Sequence, residues 1–239
     1  MNYYPVFLDI RGRRCVVVGG GNVAERKVAR LHEGGALVTV VDRALTPLLA
    51  VMKAEGQIEH IDALYGAPCL DGAFLAIGAT DDPAINERIF ADARRAGILV
   101  NIIDDPERCD FILPSLMERG DLAVAVSTGG KSPALARQLR QRLEGWIGPE
   151  YGVLLALLGT LRERVKKKGG SASDHRDIFE ALARSGLLAA IRQGDREGVA
   201  RLVRETAGEK LDTADIAKAF GAGAATPRGE TDSGAEETA

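Results

Sequence analysis

The chain has 239 residues, 46% hydrophobic and 27% charged, a composition that suits a globular protein of one large domain or two small ones. Lys and Arg number 31 against 34 Asp and Glu, a net charge of −3, which argues against a basic protein that coats nucleic acid. The imbalance sits in residues 221–239, which hold one Arg, four acids and no Val, Ile, Leu, Met or Phe.

In the first half, strand-like and helix-like segments alternate. Residues 14–18 (RCVVV) form a short apolar run that ends in glycines. Residues 23–33 place Val23, Val28 and Leu31 at helical spacing. Residues 36–41 (ALVTVV) are continuous and β-branched, as in a strand buried on both faces. Thr46-Pro47 is an N-cap followed by proline at N1 and opens a helix through Lys53. Short strands are expected at 58–61 and 73–77. Asp82-Pro83 repeats the cap-plus-proline signal for a helix to about Arg95, which Gly97 stops before a strand at 98–103. This alternation predicts an α/β, Rossmann-like parallel sheet covered by helices.

After Asp105 the pattern changes. Short strands are expected at 111–114 and 122–126, and Ser132-Pro133 caps a helix to about Trp146. From Tyr151 onward only helical periods follow, over 154–167, 177–184, 187–192, 196–205 and 212–220. The expected organisation is a Rossmann domain over 1–113, a short connecting region over 114–147, a small all-helical domain over 148–220 and a disordered acidic tail over 221–239.

Cys15, Cys69 and Cys109 are too few and too scattered for a disulfide framework or a cysteine zinc site, which suits a reducing cytoplasm. The first residues carry no secretory pattern, and no apolar run approaches the ~20 residues needed to span a bilayer. A cytoplasmic protein with no nucleic-acid or membrane partner is expected. His32, His60 and His175 have no metal-ligand spacing, so no metal site is expected. The basic run Arg162, Arg164, Lys166, Lys167, Lys168 reads as a solvated helix end.

The sharpest motif is Gly19-Gly20-Gly21-Asn22-Val23-Ala24, a G-x-G-x-x-A pattern directly after a strand and at a helix start. Gly19 permits the tight turn, Gly21 lets the backbone approach a pyrophosphate, and Ala24 keeps helix and sheet close. Alone, such glycines also fit a plain structural loop. Here a second strand ends in Asp42, 21 residues after Gly21, where a carboxylate accepts hydrogen bonds from an adenosine ribose. An acid there favours NAD over NADP, while the adjacent Arg43 pulls the other way.

Asn101-Ile102-Ile103-Asp104-Asp105 closes the strand at 98–103, on the sheet edge where ligands bind in open α/β folds. Asp104 is the candidate catalytic carboxylate; turn chemistry before Pro106 is the plain alternative. Ser127-Thr128-Gly129-Gly130-Lys131 precedes the Ser132-Pro133 cap and reads as an anion cradle, without the spacing of a Walker A loop.

Taken together, PVFLDIRGRRCVVVGGGNVAERKVARL, GATDDPAINERIF, VNIIDDPERCDFILPS and AVSTGGKSPALARQLRQRLE resemble the precorrin-2 dehydrogenase/sirohydrochlorin ferrochelatase family. That family is the N-terminal module of siroheme synthase and also occurs free-standing, the form expected here, without the methyltransferase module. The resemblance implies a Rossmann domain, a dimerisation region and a helical domain in a homodimer. It implies NAD-dependent oxidation of the tetrapyrrole precorrin-2 to sirohydrochlorin, and in many members insertion of Fe²⁺ to give siroheme. It puts the catalytic carboxylate on Asp104 and cofactor contacts on Gly21, Asn22, Val23, Asp42, Arg43 and Ala44. The family's S-[ST]-G-G segment falls on Ser127, Thr128, Gly129 and Gly130; some members carry a phosphorylatable serine where this chain has Thr128. With Ser127, Thr128 and Gly129, Lys131 is a candidate for holding the carboxylate-rich substrate. The competing expectation from the residues is an NADH-sensing module without catalysis.

Overall fold

The computed structural model describes residues 3–169, 172–209 and 211–223. The chain divides into two compact units, Met1–Leu113 and Pro114–Ala239.

The first unit is a five-stranded parallel sheet. Its strands are β1 (Arg14–Val18), β2 (Leu37–Val41), β3 (Glu59–Ile61), β4 (Leu75–Gly78) and β5 (Leu99–Ile102), in the spatial order β3-β2-β1-β4-β5. Helices α1 (Asn22–Glu33), α2 (Pro47–Ala54) and α3 (Pro83–Ala96) connect them, with a 3-10 turn at Ala67–Leu70 and another at Pro106–Arg108. The chain grows outward from β1 through β2 to β3, then returns to lay β4 on the other side of β1. The topological switch therefore lies between the carboxyl ends of β1 and β4, where ligands settle in such sheets.

Strand alternation splits the core in two. Cys15 and Val17 pack with Val28, Leu31, Leu49 and Met52 on one face. Val16 and Val18 pack with Ile89, Ala93 and Ile102 on the other. Each such buried side chain contributes about 1.5–3 kcal/mol, so the sheet is held from both sides. The cap signals work as expected: Thr46 Oγ accepts from Leu49 N–H, Asp82 from the amides of Ala84 and Ile85, and Gly97 closes α3 in the left-handed conformation.

Three expectations need correction. Residues 111–114 are not a strand; the ladder starts at Ser115, because Pro114 has no N–H to donate. Val23 is not part of the buried stripe of α1, which is Ala24, Val28 and Leu31; it lies 37% exposed at the helix start. Leu37 opens β2 but is 62% exposed, so only the last four residues of that strand are buried on both faces.

The second unit begins with a hairpin of β6 (Ser115–Arg119) and β7 (Leu122–Val126), followed by α4 (Pro133–Trp146). The helices α5 (Glu150–Lys168), α6 (Ala172–Arg184), α7 (Leu187–Arg192), α8 (Arg196–Ala207) and α9 (Thr213–Gly223) follow. Leu157 and Leu161 of α5 form their core with Leu182, Leu187, Val199, Val203 and Ile216. Helix α9 runs to Gly223, into the segment expected to be disordered, and 224–239 lie outside the described residues.

Candidate functional site

The glycine turn follows directly from β1. Gly19 has φ +123, and a Cβ there would lie 2.3 Å from the Ala79 carbonyl oxygen on the β4 side of the switch point. A Cβ on Gly20 would lie 1.9 Å from the Ala44 carbonyl oxygen, so these two positions accept only glycine. Gly21 differs. Its φ is −85 and a Cβ would meet nothing within 4 Å, so the protein's own packing does not require glycine there. Gly21 is the N-cap of α1 and brings no capping side chain. Thr46 and Asp82, by contrast, cap α2 and α3 with their side chains. The amides at the start of α1 thus open onto the switch point with the geometry that suits a pyrophosphate, and an open Gly21 leaves room for its close approach.

Asp42 sits just past β2. Its Oδ2 accepts from Gly20 N–H at 2.7 Å and its Oδ1 from Ala44 N–H at 3.1 Å. The Asp42 carbonyl lies 2.8 Å from Nε2 of His60, whose Nδ1 lies 2.9 Å from the Lys53 ammonium. Since an ammonium only donates, Nδ1 accepts and Nε2–H donates. Thr46 adds a further tie: its N–H donates to the Gly20 carbonyl and its hydroxyl to Glu25 of α1. The loop of Asp42, Arg43 and Ala44 is therefore fastened to the glycine turn. Arg43 is exposed, with no ion pair among the described residues.

Asp104 stands at the carboxyl end of β5 with φ +60, the one positive φ outside glycine among the described residues. A non-glycine residue in this conformation stores about 1 kcal/mol of strain, though Asp tolerates it better than most. Its side chain is exposed and makes no hydrogen bond or ion pair within the first unit. The neighbouring Asp105 differs: its carboxylate pairs with Arg108, which also reaches Glu87 of α3 at 2.5 Å. Asp105 is thus a structural anchor, and Asp104 is the carboxylate left open at the edge. Asn101 is buried and donates to the Phe111 carbonyl at 2.9 Å.

In the second unit, Ser127, Thr128, Gly129, Gly130 and Lys131 form the turn between β7 and α4. Gly129 and Gly130 have φ +63 and +82. The hydroxyls serve the turn itself. Ser127 Oγ accepts from Gly129 N–H, and Thr128 Oγ1 accepts from Ser132 N–H while donating to the Ser132 carbonyl. Ser132 Oγ in turn caps α4 through Leu135 N–H. Lys131 is exposed, with no ion pair among the described residues.

Other singled-out residues are accounted for by structure. In the basic run, Arg164 pairs with Asp215 and Lys168 with Glu209. Burial pushes the Cys15 thiol up to about 11 and raises that of Cys109 as well. Two residues at the switch point were not anticipated as site residues. Gly78 ends β4 with Ile102 and Asn86 against it, and the Asn86 amide donates to the Thr80 carbonyl at 2.9 Å. An Asn in the first turns of an Asp82-capped helix carries no distinguishing sequence signal. Among the described residues, no group of three or more His, Cys, Asp or Glu could hold a metal ion, and no helix is long and apolar enough to cross a membrane.

Three family models match the chain in succession. One described as NAD(P)-binding covers residues 6–115, one described as sirohaem biosynthesis protein central covers 119–145, and one described as sirohaem synthase dimerisation region covers 150–206. The chain is similar to siroheme synthases, and the three matches fall on it in order. It is 41% identical over 207 residues to a siroheme synthase of Methylobacillus flagellatus, a match covering 85% of this chain and 44% of that one. Siroheme synthases of Thioalkalivibrio sulfidiphilus and Citrobacter koseri match at 43% and 38% identity, over 90% and 93% of this chain and 44% and 49% of theirs. The chain thus spans about half the length of the curated relatives it matches. Its fold is similar to that of the solved structure titled SirC, precorrin-2 dehydrogenase, with a TM-score of 0.72 and 24% identity over 87% of this chain and 100% of that one. The parallel sheet of the first unit lies within the span that matches the NAD(P)-binding model.

Proposed function

We propose that the protein oxidises the tetrapyrrole precorrin-2 to sirohydrochlorin with NAD⁺, in the manner of the precorrin-2 dehydrogenase whose fold it shares. The observation that carries this reading is the carboxylate of Asp104, without a partner among the described residues of its unit and held at φ +60 on the same sheet edge as the glycine turn. The oxidation removes a hydride and a proton. NAD⁺ bound at the glycine turn supplies the hydride acceptor. Gly19 and Gly21 with the amides of Asn22 and Val23 hold the pyrophosphate, and Asp42, Arg43 and Ala44 meet the adenosine ribose. Asp42 favours an unphosphorylated ribose and therefore NAD⁺ over NADP⁺. Asp104 takes the proton. Lys131, with the Ser127, Thr128 and Gly129 turn, holds carboxylates of the macrocycle.

Insertion of Fe²⁺ into sirohydrochlorin is the second activity we assign. The metal is a substrate, and the step must remove two pyrrolic protons. Asp104, a hard oxygen base without a protein partner in its unit and exposed to water, is the candidate to take them one at a time, releasing the first to solvent before accepting the second. The names of the relatives support this assignment, since siroheme is the iron chelate.

The domain roles follow: residues 1–113 bind the cofactor, 114–147 connect, 148–220 form the helical domain, and two copies associate. The match of the dimerisation model to 150–206 supports a homodimer that draws on the helical part. A cytoplasmic location suits the three free cysteines. The test is to incubate the purified protein with NAD⁺ and enzymatically prepared precorrin-2 and to follow the absorbance of sirohydrochlorin. NAD⁺ binding without product would overturn the dehydrogenase and favour an NADH-sensing module.

A further inference from the structure

The left-handed conformation of Asp104 needs a cause, since nothing about aspartate enforces it. Residues 102–105 form a four-residue turn: Asp105 N–H donates to the Ile102 carbonyl at 3.3 Å, and Asp104 is its third residue. That position, at φ +60, usually belongs to glycine or asparagine. Ile103 N–H makes the last sheet bond before the turn, to the Gly78 carbonyl at 3.0 Å.

Beneath the turn lies the Cys109 sulfur. It is 3.2 Å from the Ile102 carbonyl oxygen and 3.1 Å from that of Asp105, the two ends of the turn. Asn101 Nδ2 lies 3.3 Å from the same sulfur and 2.9 Å from the Phe111 carbonyl. The donors balance. The two amide hydrogens of Asn101 go to Phe111 and to the sulfur, and the single S–H goes to one of the two turn carbonyls. Burial holds the thiol protonated, so it remains a donor. Arg108, paired with Asp105 and with Glu87 of α3, fixes the far limb of the turn.

We propose that Asn101 and Cys109 are positioning residues for Asp104, bracing the two ends of its turn so that the carboxylate stays at the sheet edge. Neither touches the substrate; they act through Asp104. The inference rests on the reading of Asp104 as the base, and the experiment separates the two.

Cys109→Ala, Cys109→Ser and Cys109→Val are made in the full chain, alone and with Asp104→Ala. Small displacements of a positioned group are costly, so Cys109→Ala should lower kcat for precorrin-2 about tenfold. KM, NAD⁺ affinity and Tm should stay near wild type. Cys109→Ser keeps a donor and an acceptor and should restore most of the loss. In the Asp104→Ala background, Cys109→Ala should change residual turnover less than about twofold, as expected of residues acting as one unit. Wild-type kcat in Cys109→Ala overturns the proposal. So does a further large loss in the Asp104→Ala background, or a fall in Tm and NAD⁺ affinity that accounts for the loss. Should Cys109→Ala fail to fold, Cys109→Val, which fills the space with a somewhat larger apolar group and has no donor, takes its place; failure of both makes the thiol purely structural and overturns the proposal. If Asp104→Ala alone turns over normally, the base assignment falls, and the positioning role falls with it.

Discussion

The carboxylate of Asp42 accepts the Gly20 amide at 2.7 Å, so the acid past β2 braces the turn that ends β1. Its other oxygen holds the Ala44 amide. Asp42 therefore shapes both sides of the proposed ribose site before any ligand arrives. Each oxygen keeps a second lone pair for a ribose hydroxyl.

Asp42→Ala removes both functions. NAD⁺ affinity should fall by about 1–3 kcal/mol, the scale of a charge-assisted hydrogen bond. NADP⁺ should lose less, since it never gained from the carboxylate. Calorimetric titration of both nucleotides checks this. Tighter binding of NADP⁺ than of NAD⁺ by the unmutated protein would remove Asp42 from its proposed role.

Gly20 and Gly21 make opposite predictions. Gly20→Ala drives a Cβ into the Ala44 carbonyl, an overpacking that should cost about 1–3 kcal/mol and lower Tm by several degrees. Gly21→Ala has open space and an ordinary φ, so Tm should hold while NAD⁺ binding weakens by about tenfold or more as the backbone loses its close approach. Thermal melts and titrations of the two variants give the answer. A large stability loss in Gly21→Ala, or unchanged binding, contradicts a pyrophosphate at this turn.

Features written in local chemistry were legible in the sequence. Thr46-Pro47, Asp82-Pro83 with Gly97, and Ser132-Pro133 mark helix ends because cap and backbone lie within a few residues. The parallel sheet was legible because β1, β2, β4 and β5 are mostly apolar runs without the polar alternation of a half-exposed strand. What stayed hidden depends on contacts without a period. The start of β6 is set by the missing donor of Pro114, and the link from Asn101 to Cys109 and Phe111 crosses an irregular loop. The position of Asp104 at a strand end was readable, but its left-handed backbone was not, because that conformation depends on what lies under the turn. The turn of Ser127 to Lys131 was legible as a loop before a capped helix, but the pair of bonds by which Thr128 Oγ1 holds Ser132 was not.

Cys15 predicts a pH dependence. It is fully buried at the centre of the sheet, and desolvation lifts its pKa from 9.0 to about 11. The folded chain therefore holds this proton more tightly than the unfolded chain. The stabilisation is complete below about pH 9 and disappears as pH rises through 11. Denaturant unfolding of the wild type should lose about 2 kcal/mol more than that of Cys15→Ala between pH 8 and 11. Parallel stability curves would show that the thiol is not desolvated.

Asp104 and Asp105 are adjacent carboxylates with different surroundings, which makes them a matched pair. Asp105 is spent on Arg108, and through Arg108 on Glu87. Asp104 has no partner in its unit and sits at the sheet edge in a strained backbone. Asp104→Ala removes a proton acceptor and leaves the glycine turn and Asp42 untouched. NAD⁺ affinity should hold within about threefold, while turnover of precorrin-2 falls by about 10²–10⁴, the scale for losing a general base. Iron insertion should fall too, since the pyrrolic protons lose the same acceptor. Asp105→Ala should instead act on the loop. Without its carboxylate the Arg108 bridge loses one end, so a modest fall in Tm and a smaller fall in turnover are expected together. Measuring NAD⁺ binding, dehydrogenation, metal insertion and Tm in both variants separates the two roles. Normal dehydrogenation by a folded Asp104→Ala would end the single-carboxylate mechanism, and loss of NAD⁺ binding in that variant would recast Asp104 as a structural residue of the cofactor site.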